Sequence, residues 1–394
     1  MFRIFPLIFI VLYQRVIVCD NVNKEPTIFV ALFARNKEIT LPYFLWLFEK
    51  QDYPKDRISL WIKSDHNIDG TVEILETWLS TTEHLYHSVD VSLNREEIGF
   101  PNEKGPVHWT NDRFQHMIQL REEALIMARK KWADFILFLD CDAFLTNNQT
   151  LKYLVTQNMT VTAPMLKSVG FYSNFWCGMT DKYYYLRTDD YQPILKNERK
   201  GCFNVPMIHS AVMINLRKED SDYLTYNSSN VENYNGPVDD IITFALSANQ
   251  SGVGLHICNE EQFGYVMLPL ESHEPLIFDR VTLTNLKVEM LIDNPPLQVS
   301  DIFLPYLPTI KADKMGFDQI YMINLKRRPE RRVRMVESFK ELGMDVVVFD
   351  AVDGRYAVPP PVVPHFFLFC LVEMIKRLLE KAGTLMIGKV LQVY

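Results

Sequence analysis

Two aspartates separated by one residue, Asp140-Cys141-Asp142, close an apolar run of strand length, Phe135 to Leu139. In an extended segment the side chains at i and i+2 share a face, so both carboxylates can converge on one point. Two anions at the end of a buried strand need a cation between them. An all-oxygen donor set selects a hard divalent ion, Mg²⁺ or Mn²⁺. Asp220-Ser221-Asp222 repeats the spacing but follows Arg217-Lys218-Glu219, and is expected as a solvated turn. A second acidic pair, Asp239-Asp240, precedes the helical run Ile241 to Ala248. There the carboxylates can simply cap the helix, whose macrodipole favours them in its first turn.

These residues need a scaffold that brings strand ends together. Thr27 to Ala34 is an apolar strand, and Ile39 to Glu49 is a helix with Leu41, Phe44, Leu45 and Phe48 on one face. Ile58 to Ile62 is a second strand, opening into the polar stretch Asp65 to Asp69 before a helix from Thr71, which can cap it, to Leu79. The β-α-β rhythm predicts an α/β fold with a parallel sheet covered on both faces, whose ligands bind at the carboxyl ends of the strands. A long helix over Phe114 to Lys131 leads into the Asp140 strand. Further strands are expected at Val161 to Leu166, Ala211 to Leu216, Leu255 to Cys258 and Tyr265 to Leu268. A proline-rich linker follows, then a strand, helix and strand from Gln319 to Asp350. Lys326, Arg327, Arg328, Arg331 and Arg332 crowd the start of that helix. They form either a solvated basic turn or a seat for an anion such as a diphosphate.

At 394 residues and a net charge of −8, the chain has room for two domains and little appetite for nucleic acid. Met1-Phe2-Arg3 with the apolar Ile4 to Tyr13 has the shape of a signal peptide, expected to span residues 1–20. The run is short of the ~20 residues a membrane span needs, which leaves a signal anchor as the alternative. A secretory route gives meaning to the acceptor sequons at Asn148, Asn158, Asn227 and Asn249. Apart from Cys19 the cysteines are Cys141, Cys177, Cys202, Cys258 and Cys370, with no C-x-x-C among them. Cys177 with Cys202 is the disulfide expected first, and Cys141 is expected to pack beside the acidic pair without binding its metal.

Several runs resemble the procollagen galactosyltransferase family, a branch of glycosyltransferase family 25 that includes the cerebral endothelial cell adhesion molecule. They are Ser64-Asp65-His66-Asn67, Trp132 to Thr150, Tyr172 to Met179, Lys200-Gly201-Cys202-Phe203, Val205 to Ser210, Asp239 to Ile242, Lys314 to Asp318 and Ile323 to Arg328. The resemblance implies a GT-A-like glycosyltransferase domain over 21–295, a linker over 296–316 and the start of a second glycosyltransferase-like domain over 317–356. It implies metal-dependent, inverting transfer of galactose from UDP-galactose to hydroxylysine of collagen in the endoplasmic reticulum lumen. Asp140 and Asp142 would then hold Mn²⁺ (or Mg²⁺) against the UDP diphosphate, with Asp65 and Asn67 placed for the uridine. His273 resembles a late histidine that supplies a further metal ligand, and His209 is its rival. Asp240 or Asp239 would be the base, Asp240 being favoured. Trp176, Phe175 and Tyr172 would line the sugar or acceptor side, and a homodimer is compatible.

The last residues, 357–394, match nothing in the family, and Leu391-Gln392-Val393-Tyr394 is no retention signal of the K-D-E-L type. The expectation is a divergent tail on a truncated second domain. The alternative function is an inactive adhesion or binding relative of the same fold.

Overall fold

The computed structural model describes residues 24–351 except Asp181 and Tyr184. The expected signal peptide and the divergent tail lie outside the described residues. The chain divides between Ile310 and Lys311 into two compact units.

The first unit is built on β1 (Ile28–Ala34), α1 (Leu41–Glu49), β2 (Ile58–Ser64), α2 (Thr71–Thr82) and β3 (Ser88–Leu93). Then follow α3 (Asn111–Lys130), β4 (Phe135–Leu139), β5 (Val161–Pro164), β6 (Cys202–Val205), β7 (Ala211–Asn215), α4 (Asp240–Gln250), β8 (Leu255–Cys258) and α5 (Phe278–Met290). The eight strands form one sheet in the order β6-β8-β5-β7-β4-β1-β2-β3. Continuous apolar strands are what a sheet covered on both faces demands. Ile28, Val30, Leu32, Leu137 and Leu139 face one core with α1 and α2, whereas Phe29, Ala31, Ile136 and Phe138 face the other with α3 and α4. The period-two alternation thus divides each apolar run between two cores.

The sheet is mixed, not parallel as expected. β1 to β4 are parallel neighbours, but β7 runs antiparallel to β4 and β5 and β6 antiparallel to β8. The rhythm that predicts parallel strands holds only where a helix makes the crossover, and no helix precedes β7 directly. Two local expectations also change. The N-cap of α2 is Gly70, and Thr71 is its first residue, held by hydrogen bonds to Asp69 Oδ1. The disulfide joins Cys202 to Cys258, not to Cys177, because β6 and β8 pair with those two residues directly opposite. Cys177 is free, and Cys141 is free and buried beside the acidic pair, as expected.

Part of the expected linker is packed: residues 301–306 form a short 3₁₀ helix whose Phe303 is fully buried in the first unit. The second unit contains β9 (Ile320–Leu325), α6 (Pro329–Glu341) and β10 (Val346–Ala351), with the two strands parallel. Its basic turn has internal partners, since Lys326 and Arg332 share Asp350 and Arg328 pairs with Glu330.

Candidate active site

From β1 the sheet grows through β2 to β3 in one direction, then resumes with β4 on the other side of β1. Such a reversal leaves a crevice at the carboxyl ends of the two strands. A cleft of about 1140 Å³, including its open mouth, occupies that crevice. It is lined by the ends of β1 (Arg35, Lys37), β2 (Lys63, Asp65) and β4 (Asp140, Asp142), by α3 (Arg113, His116, Arg121) and by Asp279 at the start of α5.

The acidic pair is balanced by two internal cations. Lys37 Nζ lies 2.5 Å from Asp142 Oδ2. Arg121 reaches Asp140 Oδ1 at 3.3 Å and Asp240 Oδ2 at 2.6 Å. Burial alone would discharge both cations, but Asp142 holds Lys37 charged, and Asp240 with Asp140 does the same for Arg121. Burial pushes the Asp140 carboxyl up, Arg121 pulls it down, and Asp142 pushes it up again. Converging hard oxygens with an ammonium seated on one of them are a donor set that fits a divalent cation.

Antiparallel β7 supplies one flank of the pair. Its first residues pair with the end of β4, so His209-Ser210 lies beside Asp140, whose backbone N–H donates to Ser210 O at 2.7 Å. His209 is buried, which lowers its pKa to about 4 and keeps it neutral at physiological pH, and its Nδ1 lies 2.9 Å from Ser210 Oγ. Tyr172 packs against the His209 ring, and burial together with the charges of Asp142 and Asp140 pushes its phenol up. Trp176 is half-buried, stacked on Tyr185, whose hydroxyl bonds Asp239.

The two downstream carboxylates differ. Asp240 is buried and committed to Arg121, which makes it a poor proton acceptor. Asp239 caps α4, accepting from Ile242 N at 2.9 Å. Its pKa is pushed up to about 6 by burial and then by Asp240, and a carboxylate retains lone pairs beyond its cap bond.

Three expected site residues sit elsewhere, and a fourth, Asp240, is engaged within the site. Asn67 is buried and spent on the fold: its side chain accepts from Asn36 N at 2.8 Å and donates to Ser64 Oγ at 2.9 Å. It pins the β1 and β2 loops and does not line the cleft. Phe175 is fully buried against Tyr191, a core residue. His273 lies exposed in the turn before α5 and is not among the residues lining the cleft, although its loop contributes Met267 to Leu270. Asp240, favoured as base, is the partner of Arg121. In contrast, Asp65 does line the cleft. Burial pushes its carboxyl up, but the hydrogen bond from His116 and the closeness of the His66 ring outweigh this and hold it at about 2.

The sequence reading overlooks Lys37, Arg121, Asp279 and the aromatic shelf over Asp65. Phe100 stacks on His66 with ring centroids 4.0 Å apart, and the Arg35 guanidinium lies 5.0 Å from the same ring. One signal exists for Arg121: it interrupts the buried stripe Ile118, Ala124, Leu125, Ala128 of an otherwise amphipathic helix.

With this geometry described, comparisons with known proteins decide the family. The glycosyltransferase family 25 N-terminal domain matches residues 25–287, and the glycosyltransferase family 25 (LPS biosynthesis protein) domain matches 317–358. The chain belongs to glycosyltransferase family 25. Mouse procollagen galactosyltransferase 2 is 48% identical over 336 residues, covering 85% of this chain and 53% of the relative. A glycosyltransferase 25 family member of Aedes aegypti is 48% identical, covering 84% of this chain and 55% of its own. A bovine relative named probable inactive glycosyltransferase 25 family member 3 is 44% identical, covering 84% and 55%. The chain therefore spans about half the length of the curated relatives it matches. The family assignment agrees with the α/β, GT-A-like architecture of the first unit and with an acidic pair at its switch point.

Proposed function

We propose that the first unit holds the donor and acceptor sites of an inverting procollagen galactosyltransferase, moving galactose from UDP-galactose to hydroxylysine of collagen. The observation that carries this is the Asp140–Asp142 pair at the switch-point cleft, flanked on one side by an aromatic and cationic shelf and on the other by Asp239. The name of the mouse relative, procollagen galactosyltransferase 2, supports galactose as the sugar and procollagen as the acceptor.

Mn²⁺ or Mg²⁺ held by Asp140 and Asp142 would supply Lewis-acid stabilisation of the leaving diphosphate. The remaining roles belong to the chain itself. Phe100, His66 and Arg35 offer the uracil ring a flat, electron-rich and hydrogen-bonding edge. Lys37 and Lys63 line the cleft as cations for the phosphates. Asp239 takes the proton from the hydroxylysine oxygen as that oxygen bonds to the anomeric carbon and the bond to UDP breaks, which inverts the centre. Asp240 is a positioning group that fixes Arg121 against Asp140.

Passage through the secretory pathway to the endoplasmic reticulum lumen belongs to the same reading. It is supported by the apolar start of residues 1–20 and by the exposure of Asn148, Asn158 and Asn249, with Asn227 half-buried. No helix among the described residues is long and apolar enough to cross a membrane.

The test is transfer of galactose from UDP-galactose to a hydroxylysine collagen peptide, with and without Mn²⁺, in the wild type and in Asp140→Ala/Asp142→Ala. Metal-dependent transfer lost in the double variant is expected; undiminished transfer in that variant refutes the reading. The bovine relative's name motivates a second reading, a binding protein of the same fold. A folded chain that binds neither UDP nor Mn²⁺ by calorimetry favours it.

A further inference from the structure

Beside the acidic pair, at the β2 edge of the cleft, three other metal-ligating side chains meet. His116 Nε2 lies 2.8 Å from Asp65 Oδ2 and His66 Nδ1 lies 2.9 Å from Asp65 Oδ1. One donor atom from each of the three falls within 4.8 Å of the other two. His66 Nδ1 is buried and, despite its closeness to Asp65, is not aligned for a hydrogen bond and has no hydrogen-bond partner. A buried ring nitrogen left this way costs free energy unless something binds it.

The arrangement is held rigidly. His66 adopts a left-handed backbone, φ 53°. Arg35 Nε donates to its carbonyl at 3.0 Å, and its ring stacks on Phe100. The His66 and His116 rings are inclined at 65° and reach different oxygens of the Asp65 carboxylate. The neighbouring cations Arg35 and Arg113 are both drawn onto Glu103, at 2.6 and 3.7 Å, and not onto Asp65.

Two imidazole nitrogens and one carboxylate oxygen with an open fourth position match zinc and its neighbours in the transition series, whereas the all-oxygen pair suits Mn²⁺ or Mg²⁺. We propose that Asp65, His66 and His116 form a second cation site, selective for zinc-class metals, whose occupation obstructs the nucleotide edge of the cleft. Asp65 and His116 both line the cleft, so a metal on them presents its open position to the space beneath Phe100. The site stands independently of the donor assignment, and only the obstruction rests on that reading.

The test uses the full chain, stripped with chelator and titrated with Zn²⁺ alone by calorimetry and with Co²⁺ by absorption spectroscopy. One zinc per chain is expected, weakened at least tenfold in His66→Ala and in His116→Ala and unchanged in Asp140→Ala/Asp142→Ala. Absence of binding, or equal affinity in both histidine variants, overturns the site. Should a variant fail to fold, X-ray absorption of the zinc-loaded wild type decides: two imidazole nitrogens in the first shell support the site, and one or none overturns it. Zinc should also weaken UDP binding at least tenfold in the wild type and not in His116→Ala. Zinc bound without that loss overturns the obstruction, whereas a zinc-free chain that binds no UDP overturns the donor reading and leaves the metal site to the calorimetry.

Discussion

Replacing Arg121 with methionine preserves most of the side-chain volume and removes one charge from the centre of the site. The guanidinium side chain is only 10% exposed, lies 2.6 Å from Asp240 and 3.3 Å from Asp140, and is enclosed by the rings of Phe33, Phe138 and Tyr226. Without it Asp240, 8% exposed, is a buried unpaired carboxylate. At an effective dielectric near 20, a unit pair ~4 Å apart is worth ~4 kcal/mol, and removing one partner of a buried pair costs ~3–5 kcal/mol. We therefore expect Arg121→Met to lose ~3–5 kcal/mol of unfolding free energy near neutral pH. The sign of its pH dependence follows. With its cation gone, the buried Asp240 is tolerated as a neutral carboxyl but not as an unpaired anion, so stability is lost as pH rises. The deficit against wild type should thus shrink from neutral pH to about pH 5, approaching the carboxyl range. Urea unfolding followed by tryptophan fluorescence at the two pH values measures it. A cycle with Asp240→Asn should show non-additivity of ~2–3 kcal/mol, since both changes break one contact. A deficit below ~1 kcal/mol, one independent of pH, or strict additivity would refute the buried pair as the element holding β4 to α4.

Two further outcomes follow from the same charges. Lys37→Met removes the ammonium seated on Asp142, so Mn²⁺ binding without nucleotide, read by electron paramagnetic resonance, should tighten about tenfold, or ~1.4 kcal/mol; unchanged or weaker binding would show that Lys37 does not compete for the site. Asp239 works as a base only when ionised, so kcat/KM for transfer should fall as pH drops through about 6, and Asp239→Asn should lose ~10²–10⁴ in rate. A profile flat well below that pH, or near-normal turnover in Asp239→Asn, removes Asp239 from that role.

Local signals made much of the first unit legible. Apolar runs bounded by turn residues mark β1, β2 and β4, and in each case the polar residue that ends the run lies at the cleft, as for Arg35, Asp65 and Asp140. What failed was non-local. The pairing of β6 with β8, which fixes the Cys202–Cys258 bridge, joins strands 56 residues apart between the cysteines, and nothing in either tetrapeptide names its partner. Asn67 looked like a ligand group because it is polar at a strand end. It is instead one half of a reciprocal bond in which Asn36 Oδ1 accepts from Ile68 N and Asn67 Oδ1 accepts from Asn36 N. Residue type cannot separate a buried amide that satisfies backbone from one that faces solvent. Lys37 and Arg121 were invisible for the opposite reason: a lone cation on a loop or helix is ordinary until a fold sets it against a carboxylate.

The reversed strand β7 gives the cleft its second side. A parallel strand in that position would begin at the end of the sheet opposite Asp140 and carry its leading residues away from the pair. Running antiparallel, β7 begins where β4 ends, Ala211 opposite Leu139, so that His209 and Ser210 flank Asp140 from the side away from Asp65. The start of α4 arrives on that same side through Arg121, which binds Asp240 and Asp140 at once. Asp239, one residue earlier, is thereby fixed relative to the acidic pair without touching it. A base carried on a flexible loop would lose much of the advantage of orientation. Here its position is set by a buried ion pair and a helix cap, and the stability of the fold and the placement of the proposed proton acceptor depend on the same guanidinium.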